Sequence, residues 1–150
     1  MGFDLYGVSP KAKSDYPEFP ESASKKSWDK YSKLRGKFEE ENPGYYFRNN
    51  IWYWSPLWHF VCDYVAPKIL SAADKEAGEF NDGYVISANY IADKIDELDE
   101  KGELVLYEQK SNEARDELPE DHWGKNYPFE AENVRDFAKF ARNSGGFEIS

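Results

Sequence analysis

A chain of 150 residues that is 40% apolar and 32% charged has room for one domain with a real core, and its composition is not that of a disordered segment. A single cysteine, Cys62, excludes an internal disulfide, and one Cys with two His (His59 and His122) argues against a structural zinc site. The formal net charge of −10 argues against duplex nucleic acid as a partner, because such affinity comes largely from neutralising phosphates.

The N-terminal MGFDLYGVSP has neither a basic start nor an apolar run, so no signal peptide is expected. Gly2 is followed by Tyr6 where a myristoylation motif wants Ser or Thr. No stretch approaches the roughly 18 apolar residues of a spanning helix. These features predict a soluble, cytoplasmic protein with no membrane partner. Phe3-Asp4-Leu5-Tyr6 can form a short strand, with Phe147-Glu148-Ile149 as its partner. Between them comes VSPKAKSDYPEFPESAS, whose three Pro among Ser and Lys read as an irregular surface segment.

A helix is predicted over 25–41, with Trp28, Tyr31, Leu34 (or Arg35) and Phe38 at three- and four-residue steps. Its charges run from Lys to Glu39-Glu40-Glu41, against the helix dipole, so its ends need packing; Asn42-Pro43-Gly44 stops it. Ser55-Pro56 reads as the start of a central helix, with Leu57, Phe60, Val61, Tyr64 and Val65 inward and Pro67 at its end. Asp82-Gly83 marks a turn. Ser87 then caps a helix with Ile86 stapled onto Ile91, carrying Ile91, Ile95 and Leu98 inward and closing at Lys101-Gly102. A more polar helix over 104–118 has a thin apolar stripe. The last helix, over 131–143, carries Val134, Phe137, Ala138 and Ala141 with Phe140 beside them, and ends at Ser144-Gly145-Gly146. The fold class is mainly α: one small domain over residues 1–150, of about five helices with a small terminal β-sheet.

One stretch stands apart. Gly44 to Trp58 packs seven aromatic rings, Arg48, Asn49 and Asn50 into fifteen residues. From Tyr45 to Trp54 the rings follow no single period, so the segment is either a strand with rings on both faces or a loop leading into the Ser55 helix. As a pocket, Trp52 or Trp54 would stack on a flat ligand, Arg48 would clamp an anion, and Asn49 and Asn50 would read an amide or base edge. As core, the rings would pin a loop and Arg48 would pair with a carboxylate.

The blocks MGFDLYG, YFRNNIWYWSPLW, FNDGYVISA and YPFEAENVRDFAKFARNSGGFEI cover about a third of the chain. In that order they resemble a family of small uncharacterised proteins found in phages and bacteria. The resemblance implies that Asn81-Asp82-Gly83 and Ser144-Gly145-Gly146 belong with the aromatic block, which adds Asn81 and Asp82 to the candidate ligand-binding set. It implies no settled activity. Relatives read Trp-Trp-Trp-Arg-Pro-Leu-Trp where this chain has Trp52 to Trp58 with Ser55 in place of Arg, which weakens any shared anion site. Some relatives carry a Cys-rich, zinc-type insertion; here Lys110 to Asn126 holds no Cys, so no metal or cofactor is carried over.

Charge is unevenly placed. Asp74 to Asp121 holds 16 Asp/Glu against 5 Lys/Arg, and the remainder of the chain is close to neutral. A solvated helical face explains this, and so does a docking face for a basic protein surface built from Asp93, Asp96, Glu97, Asp99 and Glu100. Two forms of stoichiometric binding are therefore expected of a phage-type acidic protein. It either inhibits a host protein as an anti-defence factor or sequesters a small nucleotide-like ligand. The alternatives are a small enzyme using Arg48, Asn49, His59 and Asp82, or a structural or assembly protein; no spacing singles out an acid–base pair, and no P-loop or dinucleotide fingerprint is present.

Overall fold

The structure, a computed structural model, describes residues 2–86 and 89–150. In chain order the elements are β1 (Gly2–Gly7), α1 (Lys25–Glu41), β2 (Tyr46–Asn50), α2 (Ile51–Phe60), α3 (Ala72–Ala77), β3 (Tyr84–Ile86), α4 (Asn89–Glu100), α5 (Glu103–Asp116), α6 (Ala131–Ser144) and β4 (Phe147–Ile149). A π-helical turn, Val61–Val65, continues α2, and a 3₁₀ turn, Trp123–Asn126, precedes α6. The molecule is mainly helical with a small four-stranded antiparallel sheet, as the sequence predicts. No helix among the described residues is long and apolar enough to cross a membrane.

The predicted pairing of the two chain ends is present, with Leu5 opposite Ile149 and Gly7 opposite Phe147. The sheet is wider than expected. β2 joins the far side of β1 and β3 joins β4, giving the order β2-β1-β4-β3. Strand alternation sends Phe3, Leu5, Ile86, Phe147 and Ile149 into the core, while Asp4, Tyr6, Arg48 and Val85 stand on the other face. The helices cover only the first face. Phe137 and Phe140 of α6 pack against Phe47 and Phe147 of the sheet, and Val134, Ala138 and Ala141 complete the buried stripe. Ile91, Ile95 and Leu98 of α4 are buried as predicted; the Ser87 cap lies outside the described residues.

Two blocks of the sequence meet at a backbone crossing. A Cβ on Gly7 would overlap the carbonyl of Gly44, and a Cβ on Gly44 would overlap that of Asn143. β1, the loop after α1 and the end of α6 thus approach at backbone contact, which a side chain would block. Gly145, at φ +68°, turns the chain from α6 into β4.

α1 matches its predicted bounds but not its predicted burial. Only Tyr31 and Phe38 are covered, chiefly by Tyr16, Phe19 and Tyr45, while Trp28 and Leu34 are exposed. The weak ends are held by side chains. Ser24 Oγ accepts from the Ser27 N–H. At the other end the buried Asn42 amide donates to the Phe38 carbonyl (2.9 Å) and Ser14 Oγ (3.0 Å), and its oxygen accepts from the Lys13 N–H (2.6 Å).

Candidate functional site

The aromatic block is neither of the two arrangements expected for it, but a strand passing directly into a helix. Tyr46–Asn50 pairs with β1, and α2 begins at Ile51, four residues before Ser55. The cap is Asn50, whose side-chain oxygen accepts from the Tyr53 N–H at 3.1 Å. Pro56 therefore lies inside the helix, where it deprives the Trp52 carbonyl of its intrahelical donor. The π turn that follows shifts the stripe: Leu57, Phe60, Val61 and Val65 are buried, but Tyr64 is swung out to solvent.

Helical geometry divides the tryptophans. Trp54 and Trp58, one turn apart, are 1% and 0% exposed and stack on each other at 5.4 Å. Trp54 also stacks on Phe3 and meets the edge of Phe137. Both indoles are satisfied by α3 and its C-cap. Trp54 Nε1 donates to the Gly78 carbonyl (2.7 Å) and Trp58 Nε1 to the Lys75 carbonyl (2.9 Å). Trp54 is thus core and offers no ring face to a ligand, a correction to the pocket reading.

Trp52 points the other way and is 42% exposed. It meets Tyr127 edge-on at 5.0 Å, Tyr127 meets Trp123 at 5.5 Å, and Trp123, 70% exposed, stacks on His122 at 5.4 Å. Beside this row Trp52, Tyr53, Asn126 and Pro128 line a shallow hollow of about 430 Å³. The row is held from behind. The amides of Asn49 and Asn133 exchange hydrogen bonds (2.9 and 2.8 Å), joining the end of β2 to α6. Glu108 of α5 accepts from the Ala131 N–H at 3.1 Å and so caps α6, whose own Glu130 makes no side-chain cap.

The other predicted ligand residues have structural partners. Asn49 is tied to Asn133 and the Asn50 oxygen caps α2, which leaves the exposed Asn50 NH2 as the one part of the two amides without a partner among the described residues. Arg48 lies on the open sheet face, 3.6 Å from Asp4. Asn81 donates to the Gly2 carbonyl at 3.1 Å, and Gly83, at φ +90°, donates its N–H to Ile149; this turn fastens β3 to the sheet, with Asp82 exposed at its tip. His59 pairs with Glu79 at 2.9 Å in an exposed position. Among the described residues the one hydrogen bond joining any two of Arg48, Asn49, His59 and Asp82 is local, from the Asn49 amide to the Arg48 carbonyl (2.9 Å), and no two of their side chains are paired with each other. Cys62 is half-buried, and burial, reinforced by Asp63, pushes its thiol up to about 11, which holds it in the unreactive protonated form.

The acidic helix is engaged with its neighbour. Arg135 of α6 forks onto Asp99 with two bonds of 3.0 Å, and Arg142 pairs with Asp93 and Asp96. Glu97 takes Lys94 and Lys101, and its hydrogen bond to Lys101 holds its carboxyl below the ordinary range. Of the five acidic residues expected to dock a partner, Glu100 alone has no ion-pair partner among the described residues. Asp93, Asp96 and Asp99 of α4 are therefore turned to α6, while Glu97 is paired with lysines of its own helix and the turn after it.

No protein-family model, curated protein or solved structure matches the chain. Sequence reasoning missed Trp123 and Tyr127 because rings in a Pro-bounded loop belong to no periodic stripe. Their available signal was HWGKNYPF, three rings within a turn-rich stretch that could not bury them in a helix face.

Proposed function

We propose that this protein acts by stoichiometric binding, and that the row Trp52–Tyr127–Trp123, with Tyr53, Asn126 and Pro128, is where it grips an extended segment of a partner protein. The observation that carries this reading is that Trp52 and Trp123 remain exposed and lie in one row through Tyr127, although the helix that carries Trp52 buries Trp54 and Trp58. Exposed Trp and Tyr give large contact area at little entropic cost, and such residues dominate binding hot spots. The shallow hollow suits a protein segment better than a small ligand, since small-ligand sites enclose most of their occupant. A host protein is the partner expected of a phage-type acidic protein that works by occupying a target.

The test compares wild type with the Trp52→Ala/Trp123→Ala pair in affinity capture from a host lysate, with circular dichroism as the fold control. The proposal expects a stoichiometric protein that is retained by wild type and by Glu97→Lys/Glu100→Lys but lost by the tryptophan pair, with at least a tenfold drop in affinity, about 1.4 kcal/mol. Retention by the tryptophan pair would sink it. Native mass spectrometry of the gently purified wild type covers the other form of binding. A retained small-molecule mass that disappears with Trp52→Ala would assign the exposed ring to a flat ligand.

A further inference from the structure

Backbone hydrogen bonding singles out the outer edge of β2. The Gly7 N–H donates to the Tyr45 carbonyl (3.1 Å), and Leu5 stands opposite Phe47, so the odd-numbered residues of β1 and β2 form the bonded pairs between them. The even-numbered residues of β1 turn to the other side, where Asp4 exchanges two bonds with Ser150 (2.9 and 2.7 Å). β2 is the last strand of the sheet, so its even-numbered residues, Tyr46, Arg48 and Asn50, direct their N–H groups outward. None of these three N–H groups has a partner among the described residues. Of their carbonyls, that of Arg48 takes the Asn49 side chain and that of Asn50 enters the α2 ladder, which leaves the Tyr46 carbonyl facing out.

This edge is also unguarded. Native proteins keep strand edges from pairing with proline, lysine, a bulge or extreme shortness. β2 has five residues in unbroken register, without proline, lysine or bulge, and its one charge, Arg48, lies 3.6 Å from Asp4 of β1. β3, at the other edge, has only three residues. The chemistry of the edge says what fits it. Donors two residues apart recur at roughly 6.8 Å, the spacing of alternate carbonyls along an extended polypeptide. The outward Tyr46 carbonyl asks for an N–H in return, which a phosphate backbone lacks.

We infer that the partner's extended segment joins the four-stranded sheet as a fifth strand along Tyr46–Asn50 and runs on into the Trp52 hollow, an inference that rests on the grip proposed above. β2 passes directly into α2, so the last edge donor stands two residues from Trp52. Phe47 is only partly buried against Phe137 and Phe140, so an apolar residue of the added strand beside it would extend the core. The next residue of that strand would lie on the opposite face, beside Arg48. Main-chain bonds thus supply conformation and register, and Phe47 and Trp52 supply the side-chain preference.

The probe is a displayed library of random short peptides selected on the full chain, followed by amide hydrogen exchange of the selected complex by NMR. The Tyr46, Arg48 and Asn50 N–H groups should exchange rapidly in the unbound protein and at least about tenfold more slowly in the complex, while Phe47 and Asn49 are protected in both. N-methylating alternate residues of the peptide should abolish binding in one alternation and spare it in the other. Both readings use wild type and need no variant to fold. Arg48→Pro removes an outward donor without touching the ladder to β1, and should weaken binding at least about tenfold beyond Arg48→Ala, which keeps that N–H. Peptides that require Trp52 and Trp123 yet leave the three amides unprotected and tolerate N-methylation in either alternation overturn the inference and leave the grip standing. Peptides that protect the edge but bind the Trp52→Ala/Trp123→Ala pair as tightly as wild type overturn the grip, and with it the run from edge to hollow. Selection of no peptide also overturns the inference, while capture from a host lysate still judges the grip.

Discussion

Trp54 and Trp52 are separated by one residue and belong to different parts of the molecule. Trp54 lies among Phe3, Trp58 and Phe137 with its N–H on the Gly78 carbonyl; Trp52 rests edge-on against Tyr127 and is open to solvent. The difference comes from where α2 starts. Once Asn50 caps the helix, a step of two residues turns a side chain to the opposite side, and only one side faces the sheet. The same rings thus do different physical work. Those inside, Trp54 and Trp58, are part of the core, and those outside form the surface from which a binding role can be argued.

The sharpest way to break this contrast is to truncate both rings. Trp54→Ala should cost about 3–5 kcal/mol, because it removes a fully buried indole and leaves a cavity against Phe3 and Trp58. Trp52→Ala should change stability by less than about 1 kcal/mol. Urea unfolding followed by circular dichroism reads both. Equal losses would mean that Trp52 is structural and that its exposure says nothing about binding. Gly78→Ala belongs with the larger effect, since a methyl there would overlap the Trp58 ring.

How far this contrast could be read from the sequence depends on which signals were local. α1, α4 and α6 were legible because their apolar residues repeat at helical spacing and their stops are explicit, as with Asn42-Pro43-Gly44 and Lys101-Gly102. β1 and β4 were legible as alternating runs at the two ends. The start of α2 was not, because Ser55-Pro56 is a better local helix start than Asn50-Ile51, and only the sheet pairing of Tyr46–Asn50 decides between them. α3 is six residues with no apolar period; its one mark was the capping box of Ser71 and Asp74, and its purpose, to present carbonyls to Trp54 and Trp58, is wholly tertiary. The site was half legible. The sequence points to the aromatic block, but Asn49 and the α4 carboxylates could be assigned to structure only after α6 supplied Asn133, Arg135 and Arg142.

A middle-sized effect sharpens the boundary between the two regions. The Asn49–Asn133 pair stands where the buried half of the aromatic block meets the exposed half. Asn49→Ala should cost about 1–2 kcal/mol, since it leaves a part-buried amide on α6 with one weak bond, 3.5 Å to the Tyr53 carbonyl. A double-mutant cycle with Asn133→Ala should return a coupling of about 1 kcal/mol. Additive losses would mean that the two amides act independently and that β2 and α6 are held by ring packing alone.

The smallest effect concerns the uncovered face of the sheet, which is neither core nor the proposed grip. There Tyr46 donates its hydroxyl to Asp4, with Tyr6 at 5.3 Å and Arg48 beside Asp4. Partial burial, then the hydrogen bond to Asp4 and its negative charge, push the Tyr46 hydroxyl up to about 12. The folded state therefore holds this proton more tightly than the unfolded chain, where the hydroxyl ionises near 10. The contribution is fully present below pH 10 and is lost as the pH rises from there through about 12. Tyr46→Phe should leave the stability curve flatter than wild type across that window, and tyrosinate absorbance of the folded protein should lose one late-titrating hydroxyl. Tyr16, Tyr84, Tyr90 and Tyr107 are also shifted upward, so the slope of wild type alone is ambiguous and the difference between the two proteins is the quantity to measure. If that difference is flat, Tyr46 ionises as freely folded as unfolded, and the Tyr46–Asp4 bond does not hold the open face together in solution.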